Sequence, residues 1–270
     1  MYYIDVLYCR WLGGELMSEW RLLLTGEHNA FSNMAIDEAV LLSVANGTSP
    51  TTVRFYQWSP PAVSIGYFQS MNEEVDVEAC KRHGIDMVRR ITGGGAVFHD
   101  KMKEITYSIV MRESDPMLSK DIRESYGVLC SGIVRGLKRL GIDAEFKAIN
   151  DICVGGKKIS GSAHTRRYGG ALQHGTILYD VDLKLMFSLL KVPSEKIRDK
   201  LINSASERVT SIRAARNDVD LKDVERAMIY GFEEAFGIRL RPGELSEGEK
   251  RDAKRLGKER YERAEWNFKR

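Results

Sequence analysis

Hydrophobic positions along the chain switch repeatedly between a period of two and a period near 3.6, the mark of alternating strands and helices. The run Met34-Ala-Ile-Asp-Glu-Ala-Val-Leu-Leu predicts a helix capped by Ser32 or Asn33 and stopped at Asn46-Gly47. Strand patterns follow over 53–58 and, after a Pro-Pro break, over 62–66. A polar helix over 75–83 ends at Gly84, and a strand over 86–91 runs into Gly93, Gly94 and Gly95. A strand over 105–111 places Ile105, Tyr107 and Ile109 on one face. Over 122–140, Ile122, Tyr126, Leu129, Ile133 and Leu137 recur at helical spacing, and Gly141 is placed to end that helix. Strands over 144–150, 152–160 and 171–179 precede a helix from Leu221 to Phe236, stopped by Gly237. Ser246-Glu-Gly-Glu249 carries the capping-box signature of a last helix. The sum predicts an α/β fold of the α+β type: a mixed, largely antiparallel sheet flanked by helices. Connections near Pro193 and Gly237 are short, so no strong domain boundary is expected.

Composition changes this picture little. With 270 residues, 43% hydrophobic and 29% charged, the chain can bury a sizeable core. Lysine and arginine exceed aspartate and glutamate by 41 to 38, and the one basic cluster, 250–270, is interleaved with glutamates, so no nucleic-acid partner is expected. Cys9, Cys80, Cys130 and Cys153 are far apart and form no Cys-x-x-Cys pair, which argues against zinc and a disulfide framework. No stretch approaches the roughly 18 apolar residues of a membrane span. The first 16 residues contain Asp5, Arg10 and Glu15 without a continuous apolar run, so they are not read as a secretory signal. Residues 1–19 are expected to be an extension ahead of one catalytic domain over 20–270, in a reducing cytoplasm.

Two segments carry chemistry. In Arg89-Arg-Ile-Thr-Gly-Gly-Gly-Ala-Val-Phe-His-Asp100, three glycines let the backbone approach a ligand and can form an anion-binding nest. Arg89 and Arg90 add planar donors suited to phosphate or carboxylate. This is neither of the usual glycine-rich nucleotide fingerprints, and neither occurs elsewhere in the chain. In the second segment, 150–164, Gly155-Gly156 between two strand patterns predicts a two-residue hairpin. That register pairs Cys153 with Lys158, Ile152 with Ile159 and Asp151 with Ser160. Ile152, Val154 and Ile159 then share an apolar face, while Asp151, Cys153, Lys158 and Ser160 share a polar one followed by Gly161. A lysine directed into a pocket can stabilise charge developing on an acyl phosphate.

Arg-Arg-x-x-Gly-Gly-Gly-Ala-Val-Phe-His-Asp, then Asn150-Asp151, Gly-Lys-Lys-Ile-Ser-Gly-Ser-Ala (156–163) and His-Gly-Thr-Ile-Leu (174–178) resemble the lipoate–protein ligase family in order and spacing. Phe31-Ser-Asn-Met-Ala is similar to that family's first helix. The resemblance runs from about Trp20 to the C-terminus. It implies a fold shared with biotin ligases and related to class II aminoacyl-tRNA synthetases. It implies two steps: ATP and lipoate, with Mg2+, give lipoyl-adenylate, and the lipoyl group passes to a lysine of a carrier domain, as in 2-oxoacid dehydrogenases or the glycine cleavage H protein. ATP and Mg2+ are thus the expected co-substrate and activator, and no tightly bound prosthetic group is expected. By the resemblance, Lys158 is the central lysine, touching the acyl carbonyl and the phosphate. Arg90, Gly95, Ala96, Val97 and Phe98 are expected at the nucleotide, Gly94, Gly161 and His174 at the lipoyl group, and Asp151 at Mg2+ and phosphate. His99 is expected to be structural, and Val97, Ile109 and Leu172 to line the acyl pocket. Many family members continue into a smaller accessory domain, and this sequence stops near its start. Either the sequence is truncated there or the missing part is a separate polypeptide; a separate accessory subunit is the expectation, with adenylation by this chain alone impaired.

Other readings remain. An octanoyl- or lipoyl-transferase on the same scaffold would carry the acyl group on a cysteine and need no ATP, and Cys153 lies on the polar face beside Lys158. A strand cysteine that merely packs is the plainer reading, and Cys153 does not align with the transferases' nucleophile as the motifs compare. A biotin ligase would share the nucleotide chemistry, though its glycine loop usually alternates arginine and glycine. A DNA-binding regulator would need an added reading domain, for which the stretch before Trp20 is too short.

Overall fold

The computed structural model describes residues 18–269, apart from 148 and 193. Cys9 and most of the expected 1–19 extension lie outside the described residues. Among the described residues eleven strands are formed: β1 (Glu19–His28), β2 (Thr52–Trp58), β3 (Ala62–Ile65), β4 (Asp86–Arg89), β5 (Val97–His99), β6 (Glu104–Arg112), β7 (Ala144–Lys147), β8 (Asp151–Val154), β9 (Lys157–Arg167), β10 (Gly170–Leu178) and β11 (Arg239–Gly243). Eight of them make one sheet in the order β11-β1-β2-β6-β10-β9-β8-β7, and β4-β3-β5 make a small second sheet. β1 runs parallel to both β11 and β2, and every other pairing of the large sheet is antiparallel. This is the mixed, largely antiparallel sheet flanked by helices that the periodicity predicts.

Alternation along the strands divides the apolar side chains between the two faces. Ile105, Tyr107, Ile109 and Met111 of β6 join the core under the helices Ile122–Arg139 and Leu221–Phe236, while Val110 joins the core under Ala30–Ala45. The two helices of the first face cross at glycines. A Cβ on Gly231 would lie 2.3 Å from the Gly132 carbonyl oxygen and the Gly136 nitrogen, so no side chain fits there. The fully buried Phe232 fills the space beside that crossing, a burial that contributes about 2–3 kcal/mol. A third cluster, including Val63, Ile65, Phe98 and Leu189, packs on the small sheet. No helix among the described residues is long and apolar enough to cross a membrane.

Three local details differ from the sequence expectation. The first helix begins at Ala30, because Asn29, not Ser32 or Asn33, caps it: the Asn29 side chain accepts from the Ser32 N–H at 2.8 Å. Asn33 is buried instead, donating to the His28 and Gln57 carbonyls. The β8–β9 hairpin keeps Cys153 opposite Lys158 but slips by one residue between Ile152 and Cys153. This bulge places Ser160 opposite Ile152 and Gly161 opposite Asp151. Ser160 therefore turns with Ile152 towards the core, where it is fully buried, and leaves the polar face. The helix Glu195–Arg208, with little apolar periodicity of its own, docks on the hairpin through a Lys157 ammonium donating to the Ser206 carbonyl at 3.2 Å and the Thr210 N–H donating to the Lys158 carbonyl at 2.8 Å.

Candidate active site

A cavity of about 320 Å³ opens between the glycine loop, Asn150 ahead of β8, the strands β9 and β10, and the start of the helix Leu183–Leu189; Cys153 and the rest of β8 do not line it. Of the residues expected from sequence, Arg90, Gly94, Gly95, Ala96, Val97, Phe98, Lys158, Gly161 and His174 all line it. The structure thus brings together segments more than seventy residues apart. Asp151 reaches the site through Lys158. Ile109 and Leu172 do not line the cavity: each is fully packed, Ile109 under the paired helices and Leu172 under Ala30–Ala45. Met34, Trp58, Leu178, Leu183, Met186 and Val209 supply the apolar wall instead. No local sequence signal marks these, since they come together only when helices fold over the sheet.

The glycine loop is held from within. Gly94 has φ 96, a backbone open to glycine and strained for other residues. Arg90 is buried, and its donors are spent on its own loop: Nη2 donates to the Gly93 and Gly95 carbonyls, each at 2.8 Å, and Nη1 to the Ser64 carbonyl and hydroxyl, each at 3.1 Å. Burial pushes its guanidinium down to about 10, so it stays charged at neutral pH. Arg89 is completely buried and donates to the carbonyls of Gly66, Tyr67, Gln69, Trp266, Asn267 and Lys269, tying the loop to the C-terminal segment. The donors expected at a phosphate thus lie on backbone carbonyls and, for Arg90, also on the Ser64 hydroxyl, while Arg90 still lines the cavity.

Two histidines are fixed in the wall. His174 bonds to Asp37 through Nδ1 at 3.0 Å and to the Thr92 hydroxyl through Nε2 at 2.8 Å. Asp37 also accepts from Arg54 at 2.7 Å, Tyr56 at 2.9 Å and Ser108 at 2.9 Å. Burial works to raise the Asp37 carboxyl, but Arg54 and His174 outweigh it and hold it below the usual carboxylate range. Burial is also the main force on His174, lowering its pKa against the pull of Asp37. His99 bonds to Glu104 through Nδ1 at 2.7 Å and to Ser64 through Nε2 at 2.8 Å, and stacks on Trp58 with centroids 4.0 Å apart. It is the satisfied, buried histidine expected, though it too lines the cavity.

The hairpin presents partly exposed charges. Lys158 Nζ lies 2.7 Å from Asp151 Oδ1, and the lysine side chain is 41% exposed. It stretches across Gly161, where a Cβ would come within 2.7 Å of its Cε and Nζ. Cys153 shares this face directly opposite Lys158. Burial first, then Asp151, pushes its thiol up, with Lys147 and Lys158 pulling the other way. Among the described residues no three His, Cys, Asp or Glu side chains gather as metal ligands. Asp151, expected at Mg2+, is instead paired with the Lys158 ammonium.

The family model of the lipoyl protein ligase A/B catalytic domain matches residues 29–233. Octanoyltransferase LipM of Kyrpidia tusciae is 43% identical, covering 94% of this chain and 100% of the relative. Octanoyltransferase LipM of Geobacillus kaustophilus is 40% identical over 93% of this chain and 98% of its own length. Among solved structures, the bi-partite lipoate protein ligase of Thermoplasma acidophilum superposes with a TM-score of 0.86 at 37% identity, over 93% of this chain and 96% of its own. The scaffold is therefore common to ligases and transferases. The curated relatives, octanoyltransferases at 34 to 43% identity, overturn the expectation of an ATP-dependent ligase. With it go ATP and Mg2+ as co-substrates and the adenylate intermediate, since a transferase takes an acyl group its donor has already activated. What remains is an enzyme of protein lipoylation with acyl-transfer chemistry, and the chain belongs to the lipoyl protein ligase A/B catalytic-domain family.

Proposed function

We propose that this chain is an octanoyltransferase that moves a medium-chain acyl group from a carrier thioester to a lysine of a lipoyl-carrier domain, with Cys153 as the nucleophile. The observation that carries this reading is the likeness along nearly the whole chain to octanoyltransferases, in a protein whose Cys153 sits directly across the hairpin from Lys158. The Cys153 thiolate attacks the donor carbonyl, and the donor thiol leaves with the proton that Cys153 gave up. The neutral amine of the acceptor lysine then attacks acyl-Cys153. An amide forms, and the amine proton returns to sulfur as the thioester breaks.

Each neighbour has a part in this scheme. The Lys158 ammonium stabilises the oxyanion in both steps and favours the thiolate. Asp151 holds that ammonium across Gly161 at 2.7 Å, and in doing so keeps the resting thiol protonated. The backbone of Gly94 to Phe98, with Gly161 and His174, walls the acyl group, and the apolar residues from Met34 to Val209 take its chain. The test is octanoyl transfer from an octanoyl thioester to a purified lipoyl domain, followed by intact mass, without ATP. Transfer with a trapped acyl-Cys153 supports the reading. Transfer that persists in Cys153→Ala, or that needs ATP, sinks it.

A further inference from the structure

We propose that Ser64, His99 and Glu104, which line the cavity, form a second acyl-accepting site, a serine–histidine–carboxylate chain that hydrolyses medium-chain acyl esters and thioesters through an acyl-serine. The proposal rests on the reading above only in taking the cavity to admit an acyl chain.

The antiparallel register of β3 and β5 sets Ser64 opposite Val97 and Ala62 opposite His99, so Ser64 and His99 are diagonal neighbours on one face. Their side chains meet at 2.8 Å, and His99 Nδ1 meets Glu104 Oε1 at 2.7 Å. All three residues line the cavity. The partners fix the direction of every bond. Glu104 accepts, so Nδ1 carries the hydrogen and Nε2 is the acceptor. Arg90 Nη1 donates to the Ser64 oxygen at 3.1 Å, which leaves the hydroxyl hydrogen to go to Nε2. A hydroxyl donating to a histidine that donates to a carboxylate is the arrangement in which serine becomes a nucleophile, whatever the fold.

The chain is also held rigidly. Glu104 Oε1 accepts a further bond from the Thr106 hydroxyl at 2.8 Å, Thr106 accepts from Trp58 Nε1 at 2.7 Å, and the Trp58 ring lies 14° from the plane of the His99 ring. Arg90 puts a permanent cation where the serine oxygen gains charge. In the step proposed, Ser64 gives its proton to Nε2 and attacks the acyl carbonyl. The leaving thiolate or alkoxide takes that proton, and the acyl-serine forms. Water, deprotonated by Nε2, then attacks the ester. The free acid leaves, and the proton returns to Ser64.

The experiment uses the Cys153→Ala protein with p-nitrophenyl octanoate and, separately, a fluorophosphonate probe. Expected are continued release of p-nitrophenol, an octanoyl adduct and a phosphonyl adduct both mapping to Ser64, and a loss of about a hundredfold in rate on adding Ser64→Ala or His99→Ala. Folded Cys153→Ala protein that carries neither adduct at Ser64 overturns the proposal, as does a hydrolysis rate indifferent to Ser64→Ala. Both outcomes are read without the transfer reaction, so a failure here is distinct from failure of octanoyl transfer in the unsubstituted chain.

Discussion

The glycine loop and the β8–β9 hairpin are both rich in charge beside the same cavity, yet they treat that charge in opposite ways. In the loop, Arg89 and Arg90 are buried, and their donors go to backbone carbonyls and, from Arg90, also to the Ser64 hydroxyl. Next to them, His174 is bonded at both ring nitrogens. In the hairpin, Lys158 is 41% exposed and has one carboxylate partner. A buried cation is tolerated only when its donors are satisfied, which makes it a fastener. A half-exposed ion pair is weak and exchangeable, which suits a group that meets a substrate. The difference separates framework from chemistry among residues that look alike in sequence.

The largest effect that could break this contrast is at the thiol. Cys153→Ala reduces octanoyl transfer to the uncatalysed background in the thioester assay, while the thermal unfolding midpoint stays close to that of the parent chain. Next come the cations. Arg89→Met strands several buried carbonyls and lowers unfolding free energy by at least about 3 kcal/mol, read by urea titration. Lys158→Ala changes stability by less than about 1 kcal/mol but depresses transfer. Equal stability losses in the two variants would erase the distinction.

A third measurement concerns His164, on β9 behind the cavity. Burial first, then Arg166, lowers its pKa to about 4. The unfolded histidine takes up its proton near pH 6.5 and the folded one only near pH 4, so the unfolded chain gains as pH falls between these values. Stability is full above pH 6.5 and loses on the order of 3 kcal/mol by pH 4. His164→Gln flattens that part of the profile, and an unchanged profile in the variant would show that another group is responsible. The smallest effect sharpens the hairpin side. Alkylation of Cys153, followed by peptide mapping, is slow at neutral pH and climbs above pH 9, because the thiol is raised from 9.0. Asp151→Asn removes one cause of that rise, so the rate at pH 8 increases. A slower rate in Asp151→Asn would mean that Asp151 instead supports the thiolate.

Much of this was legible beforehand because it is local. The capping box at Ser246 and Glu249, the helix Leu221–Phe236 ending at a left-handed Gly237, and the Gly155-Gly156 turn all depend on residues a few positions apart. The bulge that moves Ser160 to the core does not, because it is set by how β8 and β9 meet the rest of the sheet. The reaction was misread for a related reason. Gly-Gly-Gly-Ala-Val-Phe-His and Gly-Lys-Lys-Ile-Ser-Gly-Ser-Ala mark a scaffold on which both activating and transferring enzymes are built, and a single thiol among packed residues is a weak signal against them.

By itself, then, the amino-acid sequence determined the alternation of elements, the glycine loop and the pairing of Cys153 with Lys158, since periodicity and turn chemistry act over short spans. Most of the residues it nominated for the site line the cavity, while Asp151, Ile109 and Leu172 do not. Only the tertiary structure decided which charges are spent. Whether Arg90 meets a ligand or its own loop, whether Ile109 lines a pocket or a core, and whether Ser64 finds a histidine all depend on burial and on partners distant in the chain. Desolvation sets the terms for each of these groups, and it is a property of the packed protein, absent from any short stretch of it.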